Sequence, residues 1–267
     1  MSETIQGVAA GVPYVLVPPI SGDPAAPVVL AWHLMDSPRT AAAFAAALPL
    51  AGLDAWRIYF QLPMSGSRLP EGGMDELMRL GYEDAVMNLQ GPITDQAVAE
   101  APAALAAVKA AHGIGDGPVG LLGGSQGSAV AGQLLLDPAM KAVSAVLVSP
   151  IVQLRAAVAA TGRQYGVEYP WSAESDAVAD RMDLVARVGE IPASAEVLTV
   201  VGAQDEPEFA ESAAAFTAAL GDRARTDIVA GLGHALADEP GLEPAPQWPA
   251  TAEVDRLAVA WFARTLR

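Results

Sequence analysis

Short apolar runs rich in β-branched residues alternate along this chain with alanine-rich stretches. The run at residues 28–32, Val-Val-Leu-Ala-Trp, is apolar at every position, as expected of a strand buried on both faces. Similar runs predict further strands at residues 14–17, 55–60, 118–122, 143–148, 196–201 and 226–229. The strand signal therefore recurs through most of the chain.

The stretches between these strands have helical character. They predict helices at residues 39–48, 75–88, 94–112, 128–136, 206–220 and 250–266. The helix at 94–112 should be interrupted at Pro102 and end at Gly113. Alternation of this kind is typical of an α/β fold, in which a central, mostly parallel sheet carries helices on both faces.

Residues 150–192 break the alternation. This stretch contains Tyr165, Tyr169 and Trp171 in an otherwise irregular pattern, followed by a charged helical stretch around residues 176–188. The 267 residues suit one large α/β domain spanning 1–267.

Charge and composition exclude several classes of function. Fifteen Lys and Arg against 31 Asp and Glu give a net charge of −16, which argues against nucleic-acid or anionic-membrane binding and mildly against a polyanionic substrate. The absence of cysteine excludes disulfides, thiolate metal sites and a cysteine nucleophile. No signal-peptide pattern and no apolar run long enough to span a bilayer is seen, so we expect a cytoplasmic protein, with export by an unrecognised route as the alternative.

The motif Gly123-x-Ser125-x-Gly127 follows a predicted strand and precedes a run of small residues that begins a predicted helix. A sharp strand-to-helix turn would expose the serine hydroxyl at the carboxyl end of the sheet and requires small neighbours. The alternative is a tight glycine turn with a solvent-facing serine. The context favours Ser125 as a nucleophile.

A serine nucleophile needs a general base, and the chain offers three histidines. His112 ends a predicted helix before Gly113, which favours a capping role there. His234 lies in a glycine-rich loop between the last predicted strand and the last helix, where its side chain could reach the carboxyl edge of the sheet. His234 is therefore the predicted base.

The carboxylate that orients this base is predicted to be Asp205. It follows the strand at 196–201 through Gly202-Ala203-Gln204, again at a carboxyl end. The competing acids are Glu206, Asp238, Asp176, Asp180 and Asp183. Position along the predicted strands favours Asp205.

With the chain order Ser125, Asp205, His234, the sequence resembles the α/β-hydrolase superfamily, in particular its single-domain serine esterase-like members. The resemblance extends from Tyr14 to Leu266. It implies an α/β-hydrolase fold with a short lid insertion at 150–192 and acyl chemistry at Ser125 without a cofactor. A metal site is not expected, because the three histidines are scattered and no ligand pair has helical spacing.

The resemblance also implies an oxyanion hole of backbone amides. Family members usually carry a His-Gly pair after the strand corresponding to 28–32, whereas this chain has His33-Leu34. By analogy the amide of Met35 would join that of Gln126, with Leu34 as the alternative donor. His33 is then expected to be a structural, hydrogen-bonded residue.

Hydrolysis of small carboxylic esters is the predicted function, with thioester, lactone, amide and peroxy-acid chemistry compatible with the same residues. The alternatives are an acyltransferase that uses the same acyl-enzyme and a non-catalytic binding protein on the same fold. Tyr165, Tyr169, Trp171 and Met64 could line an apolar pocket or simply pack together. The sequence does not indicate an oligomeric state.

Overall fold

A computed structural model describes residues 4–267 and contains one eight-stranded sheet within them. The strands are β1 (Ile5–Ala9), β2 (Val12–Val17), β3 (Val28–Trp32), β4 (Trp56–Phe60), β5 (Val119–Gly124), β6 (Ala142–Val148), β7 (Glu196–Gly202) and β8 (Ala224–Val229). Their order across the sheet is β1-β2-β4-β3-β5-β6-β7-β8. β2 runs antiparallel to β1 and β4, and all other neighbours are parallel. The prediction of a mostly parallel sheet is confirmed.

Eight α-helices accompany the sheet in the described part of the chain. They are α1 (Ala41–Ala47), α2 (Gly73–Ala85), α3 (Gly91–His112), α4 (Gln126–Leu136), α5 (Leu154–Tyr165), α6 (Ala173–Arg181), α7 (Pro207–Leu220) and α8 (Pro249–Thr265). A π-helical turn, Val86–Gln90, joins α2 to α3. Among residues 4–267, no helix is both long enough and apolar enough to cross a membrane.

The core lies on both faces of the sheet because successive side chains of a strand point to opposite faces. In β3, Val28, Leu30 and Trp32 pack in the cluster that contains buried residues of α3 and α4. Val29 and Ala31 pack in the other cluster, with buried residues of α1 and α8. Burial of all five positions explains why the run is continuously apolar.

Three local features differ from the sequence prediction. β1 was not predicted, because it is an edge strand whose Val8 is 69% exposed and it has no apolar run. α3 continues through Pro102 without interruption, since its face with Ala97, Ala101 and Ala104 is held against the sheet. The stretch 150–192 contains two helices, of which only one was predicted, and α6 ends at Arg181 rather than near residue 188.

Helix α4 crosses unusually close to the end of β3. A Cβ atom on Gly127 would lie 2.1 Å from the Trp32 carbonyl oxygen and 2.6 Å from that of His33. A Cβ on Gly123 would lie 2.2 Å from the Gly127 oxygen. These are backbone contacts that cannot rotate away, so both positions require glycine.

We predict that Gly127→Ala destabilises the protein by about 2 kcal/mol or more, because the added methyl group overlaps main-chain atoms. Thermal unfolding followed by circular dichroism measures the change. Gly189→Ala is the matched control, since nothing lies within 4 Å of a Cβ at Gly189. Equal melting temperatures for the two variants would contradict the close approach described here.

Candidate active site

Ser125 occupies the turn between β5 and α4 with backbone angles φ 46° and ψ −114°. A positive φ is strained for a residue with a side chain and persists only where neighbouring contacts fix it. Its N–H donates to the Val148 carbonyl at 2.9 Å, and its carbonyl accepts from the Ser128 hydroxyl at 2.5 Å. Because the Ser128 hydroxyl in turn accepts from the Ile151 N–H, the turn is fastened to the loop after β6.

The loops after β7 and β8 meet at a second close approach. A Cβ on Gly202 would lie 2.3 Å from the Leu232 carbonyl oxygen, so only glycine lets the two loops pack together. The N–H of Gln204 donates to that same Leu232 oxygen at 2.8 Å. This contact places Asp205, after β7, beside His234, after β8.

The three side chains predicted from the sequence form one hydrogen-bonded chain. His234 Nε2 lies 2.8 Å from Ser125 Oγ. His234 Nδ1 lies 3.0 Å from Asp205 Oδ1 and 3.1 Å from Oδ2. The Asp205 side chain is fully buried and its Oδ1 also accepts the Glu206 N–H at 2.8 Å. A carboxylate at Nδ1 favours the tautomer whose Nε2 can accept a proton.

Opposing influences set the protonation of His234. Burial lowers its pKa, but the hydrogen bond and charge of Asp205, together with the charges of Asp36 and Glu206, outweigh burial. The net effect is a pKa above the ordinary 6.5. A raised pKa makes the imidazole a stronger base.

The other acids considered from the sequence make different contacts. Glu206 pairs with Arg163, and both Asp176 and Asp180 pair with Arg155. Asp183 accepts from Gln153, and Asp238 accepts from Trp248. Within residues 4–267, Asp205 is the carboxylate hydrogen-bonded to Nδ1 of His234.

His33 is fully buried at the end of β3 and far from solvent. Its Nδ1 donates to the Leu34 carbonyl at 2.6 Å, and its Nε2 accepts the Leu62 N–H at 3.1 Å and the Gln61 side-chain amide at 2.8 Å. Burial lowers its pKa to about 4. These contacts are those of a neutral structural residue.

His112 ends α3, but its Nε2 bonds the Tyr14 hydroxyl at 2.8 Å instead of a helix carbonyl.

The two backbone amides predicted to bind an oxyanion are those of Gln126, which follows Ser125, and of Met35, in the loop after β3. Within residues 4–267, neither the N–H of Gln126 nor that of Met35 donates to a protein acceptor. The Leu34 carbonyl points to His33, and because C=O and N–H lie on opposite sides of a trans peptide, the Met35 N–H points away from His33. The Gln126 side chain donates to Gln90 O and Thr94 Oγ1 at 3.1 and 2.7 Å, which fixes the first residue of α4.

Sequence reasoning missed three further neighbours of His234. Asp36 Oδ2 lies 3.7 Å from its Nε2, the Phe209 ring centroid lies 4.5 Å from its ring centroid, and the Ser149 hydroxyl donates to its carbonyl at 3.0 Å. Asp36 follows the strand at 28–32 by four residues, so the rule that strand ends carry functional groups could have identified it. Ser149 directly follows the strand predicted at 143–148, so the same rule could have identified it, whereas Phe209 carries no comparable signal.

Two of the three aromatic residues of 150–192 pack against each other and against neighbouring helices. Tyr169 and Trp171 have ring centroids 4.8 Å apart and pack on the buried cluster of α5 and α6. Tyr165 is 67% exposed, and Met64 packs against the core cluster that contains buried residues of α3 and α4. The contacts of Tyr169, Trp171 and Met64 agree with the simple-packing interpretation, whereas Tyr165 is mostly exposed.

We predict that His33 stays neutral, protonated on Nδ1, from pH 8 down to about pH 5, because burial holds its pKa at about 4. His234 should titrate above pH 6.5 in the same sample. Two-dimensional NMR of ring nitrogens distinguishes the residues, with His33→Gln used to assign its signal. Titration of His33 near pH 6.5 would refute its buried, hydrogen-bonded state.

The sequence matches no protein-family model and no curated protein, so the comparisons rest on solved structures. The dienelactone hydrolase of Anabaena variabilis superposes with a TM-score of 0.61 at 18% identity, over 100% of this chain and 99% of that one. An esterase of Pyrococcus furiosus gives 0.59 at 12% identity, over 100% and 94%. A puromycin-hydrolysing peptidase of Mycobacterium tuberculosis gives 0.67 at 17% identity, over 99% of this chain and 40% of its own. This chain therefore has the α/β-hydrolase fold.

Proposed function

We propose that the protein is a serine hydrolase that cleaves carboxylic esters through an acyl-enzyme on Ser125. The observation that carries the proposal is the continuous hydrogen-bonded chain from Ser125 Oγ through His234 to the buried Asp205 carboxylate. A hydroxyl, an imidazole and a carboxylate in this order supply a nucleophile, a general base and the group that orients the base.

In the acylation step, Ser125 Oγ bonds to the substrate carbonyl carbon while its proton passes to His234 Nε2. The carbonyl oxygen becomes an oxyanion. The tetrahedral intermediate collapses when the bond from carbon to the leaving oxygen breaks and Nε2 returns its proton to that oxygen. Asp205 stays ionised and stabilises the imidazolium formed between the two transfers.

In the deacylation step, water takes the place of the departed alcohol. His234 Nε2 removes a proton from the water as its oxygen attacks the acyl carbon, and the proton then passes to Ser125 Oγ as the ester bond to the enzyme breaks. The products are a carboxylic acid and the restored serine.

We assign the oxyanion to the backbone amides of Gln126 and Met35, with Leu34 as the alternative second donor. Gln126 is the first residue of α4, so its N–H has no partner within the helix and lies at the positive end of the helix dipole. The Met35 N–H is oriented by the bond between His33 and the Leu34 carbonyl. Donors fixed before the reaction stabilise the oxyanion without reorganisation.

The printed names of several structural neighbours agree with ester substrates, since they are called esterase, carboxyl esterase and dienelactone hydrolase.

We further propose that residues 150–192, which leave the sheet between β6 and β7, form a cover over the site. Ser125 is only 5% exposed, so a cover of this kind would act on an already narrow approach.

We predict that Ser125→Ala lowers the hydrolysis of p-nitrophenyl esters by about 10⁴-fold or more, because the nucleophile is lost. The assay should run from short to long acyl chains, so that the chain-length optimum also sizes the acyl pocket. Melting temperature controls for folding, and Ser21→Ala serves as the control serine, since Ser21 bonds Asp54 before β4, at the amino edge of the sheet opposite the site. A folded Ser125→Ala protein with the wild-type rate would refute the proposal.

We predict that kcat/KM for a neutral ester rises with pH and reaches half its maximum above pH 6.5. His234 acts as a base only when neutral, and its pKa is raised above 6.5 by Asp205, Asp36 and Glu206 against the opposing effect of burial. Asp36→Asn removes one of these charges and should move the midpoint to lower pH. A wild-type midpoint below pH 6, or no movement in the variant, would contradict this account.

A further inference from the structure

The carboxylate of Asp36 lies on the reacting side of His234. Its Oδ2 is 3.7 Å from Nε2, the nitrogen that is 2.8 Å from Ser125 Oγ. Asp205 contacts the opposite nitrogen, Nδ1. The imidazole therefore has a carboxylate on each side, and only Asp205 is placed to orient it.

The charge of Asp36 is not neutralised by a neighbouring cation. Among the described residues, 4–267, no Lys or Arg lies within 4.0 Å of it and no donor hydrogen-bonds to its side chain, which is 53% exposed. Glu206, the other acid that acts on His234 from the β7 loop, is paired with Arg163 at 2.5 Å. Asp36 is thus the acid near Nε2 whose charge a bound substrate would experience.

Geometry places the leaving group close to this charge. The leaving oxygen must come within about 3 Å of His234 Nε2 to receive its proton. Because Asp36 Oδ2 is 3.7 Å from the same nitrogen, the leaving oxygen lies no farther than about 7 Å from the carboxylate. A cationic group two carbons beyond that oxygen adds about 4 Å at most, so it lies within about 11 Å of the carboxylate, a distance at which a Coulomb interaction in a partly solvated site still changes binding measurably.

Building on the proposed ester hydrolysis, we propose that Asp36 is a specificity-determining residue that selects esters with a cationic leaving alcohol over those with a neutral or anionic one. The chain's net charge of −16 acts in the same direction at long range, but it is screened by salt and would act on any approach to the surface. Unlike the net charge, Asp36 acts at short range, so its effect on kcat/KM depends on which part of the substrate carries the charge.

Asp36 also faces the imidazolium that forms in both steps, and this effect is common to all esters. This shared effect on the imidazolium cancels in the ratio of the kcat/KM values of two substrates. Choline esters and 3,3-dimethylbutyl esters of the same acid have leaving alcohols of nearly equal shape, one cationic and one neutral. The ratio of their kcat/KM values, taken at the plateau of each protein's pH profile, therefore reports the charge preference alone.

The experiment measures this ratio in the wild type, in Asp36→Asn and in Asp222→Asn. Both variants remove one negative charge, but Asp222 lies in the turn before β8, at the amino edge of the sheet opposite the site. We expect Asp36→Asn to lower the ratio about three- to tenfold and Asp222→Asn to leave it near the wild-type value. Raising the ionic strength should lower the wild-type ratio towards that of Asp36→Asn.

An equal ratio in the wild type and Asp36→Asn, or an equal fall in both variants, would overturn the assignment to Asp36. A neutral p-nitrophenyl ester distinguishes this failure from that of the proposed function. If the wild type hydrolyses the p-nitrophenyl ester in a Ser125-dependent manner but Asp36→Asn leaves the choline ratio unchanged, only the role of Asp36 is refuted. If no ester is hydrolysed at all, the proposed function falls and the role of Asp36 falls with it.

Discussion

The contact between Gly127 and the carbonyls of Trp32 and His33 determines the layout of the carboxyl edge of the sheet. It holds the first turn of α4 against the end of β3, and Ser125 is bent into a positive φ to enter that helix. The loop from His33 to Asp36 leaves the same point. This one backbone contact therefore fixes the positions of the serine hydroxyl, the Gln126 amide and the residues after β3 relative to one another. Asp205 and His234 reach the same edge on separate loops, after β7 and β8.

The two histidines at this edge of the sheet, His33 and His234, show how the surroundings of an imidazole decide its role. His33 is buried among groups that need it neutral, and its pKa falls to about 4. His234 is also mostly enclosed, but a buried carboxylate at Nδ1 and nearby acids raise its pKa above 6.5. The first imidazole can serve as a fixed connector between β3 and the loop after β4, and the second can carry a proton.

Much of the architecture was predictable, because buried parallel strands have continuous apolar runs and glycines mark the close approaches at Gly123, Gly127 and Gly202. The same logic brought Ser125, Asp205 and His234 to one edge, and the structure adds their distances while their catalytic roles stay predictions. Elements without such signals were missed. β1 is an exposed edge strand without an apolar run, and α5 has only a short apolar face that contains Gly162. Helix α3 continues through Pro102 because of tertiary packing, which the local sequence does not reveal.

The position of Asp36 also bears on how a reaction ends. Hydrolysis of an ester releases a carboxylic acid, which is ionised at neutral pH and so leaves as an anion. An anion held near Ser125 faces the exposed carboxylate of Asp36, and the chain's net charge of −16 adds to the repulsion at longer range. Under the proposed function, product would be expelled from the site electrostatically, and accumulated acid would compete poorly with fresh substrate.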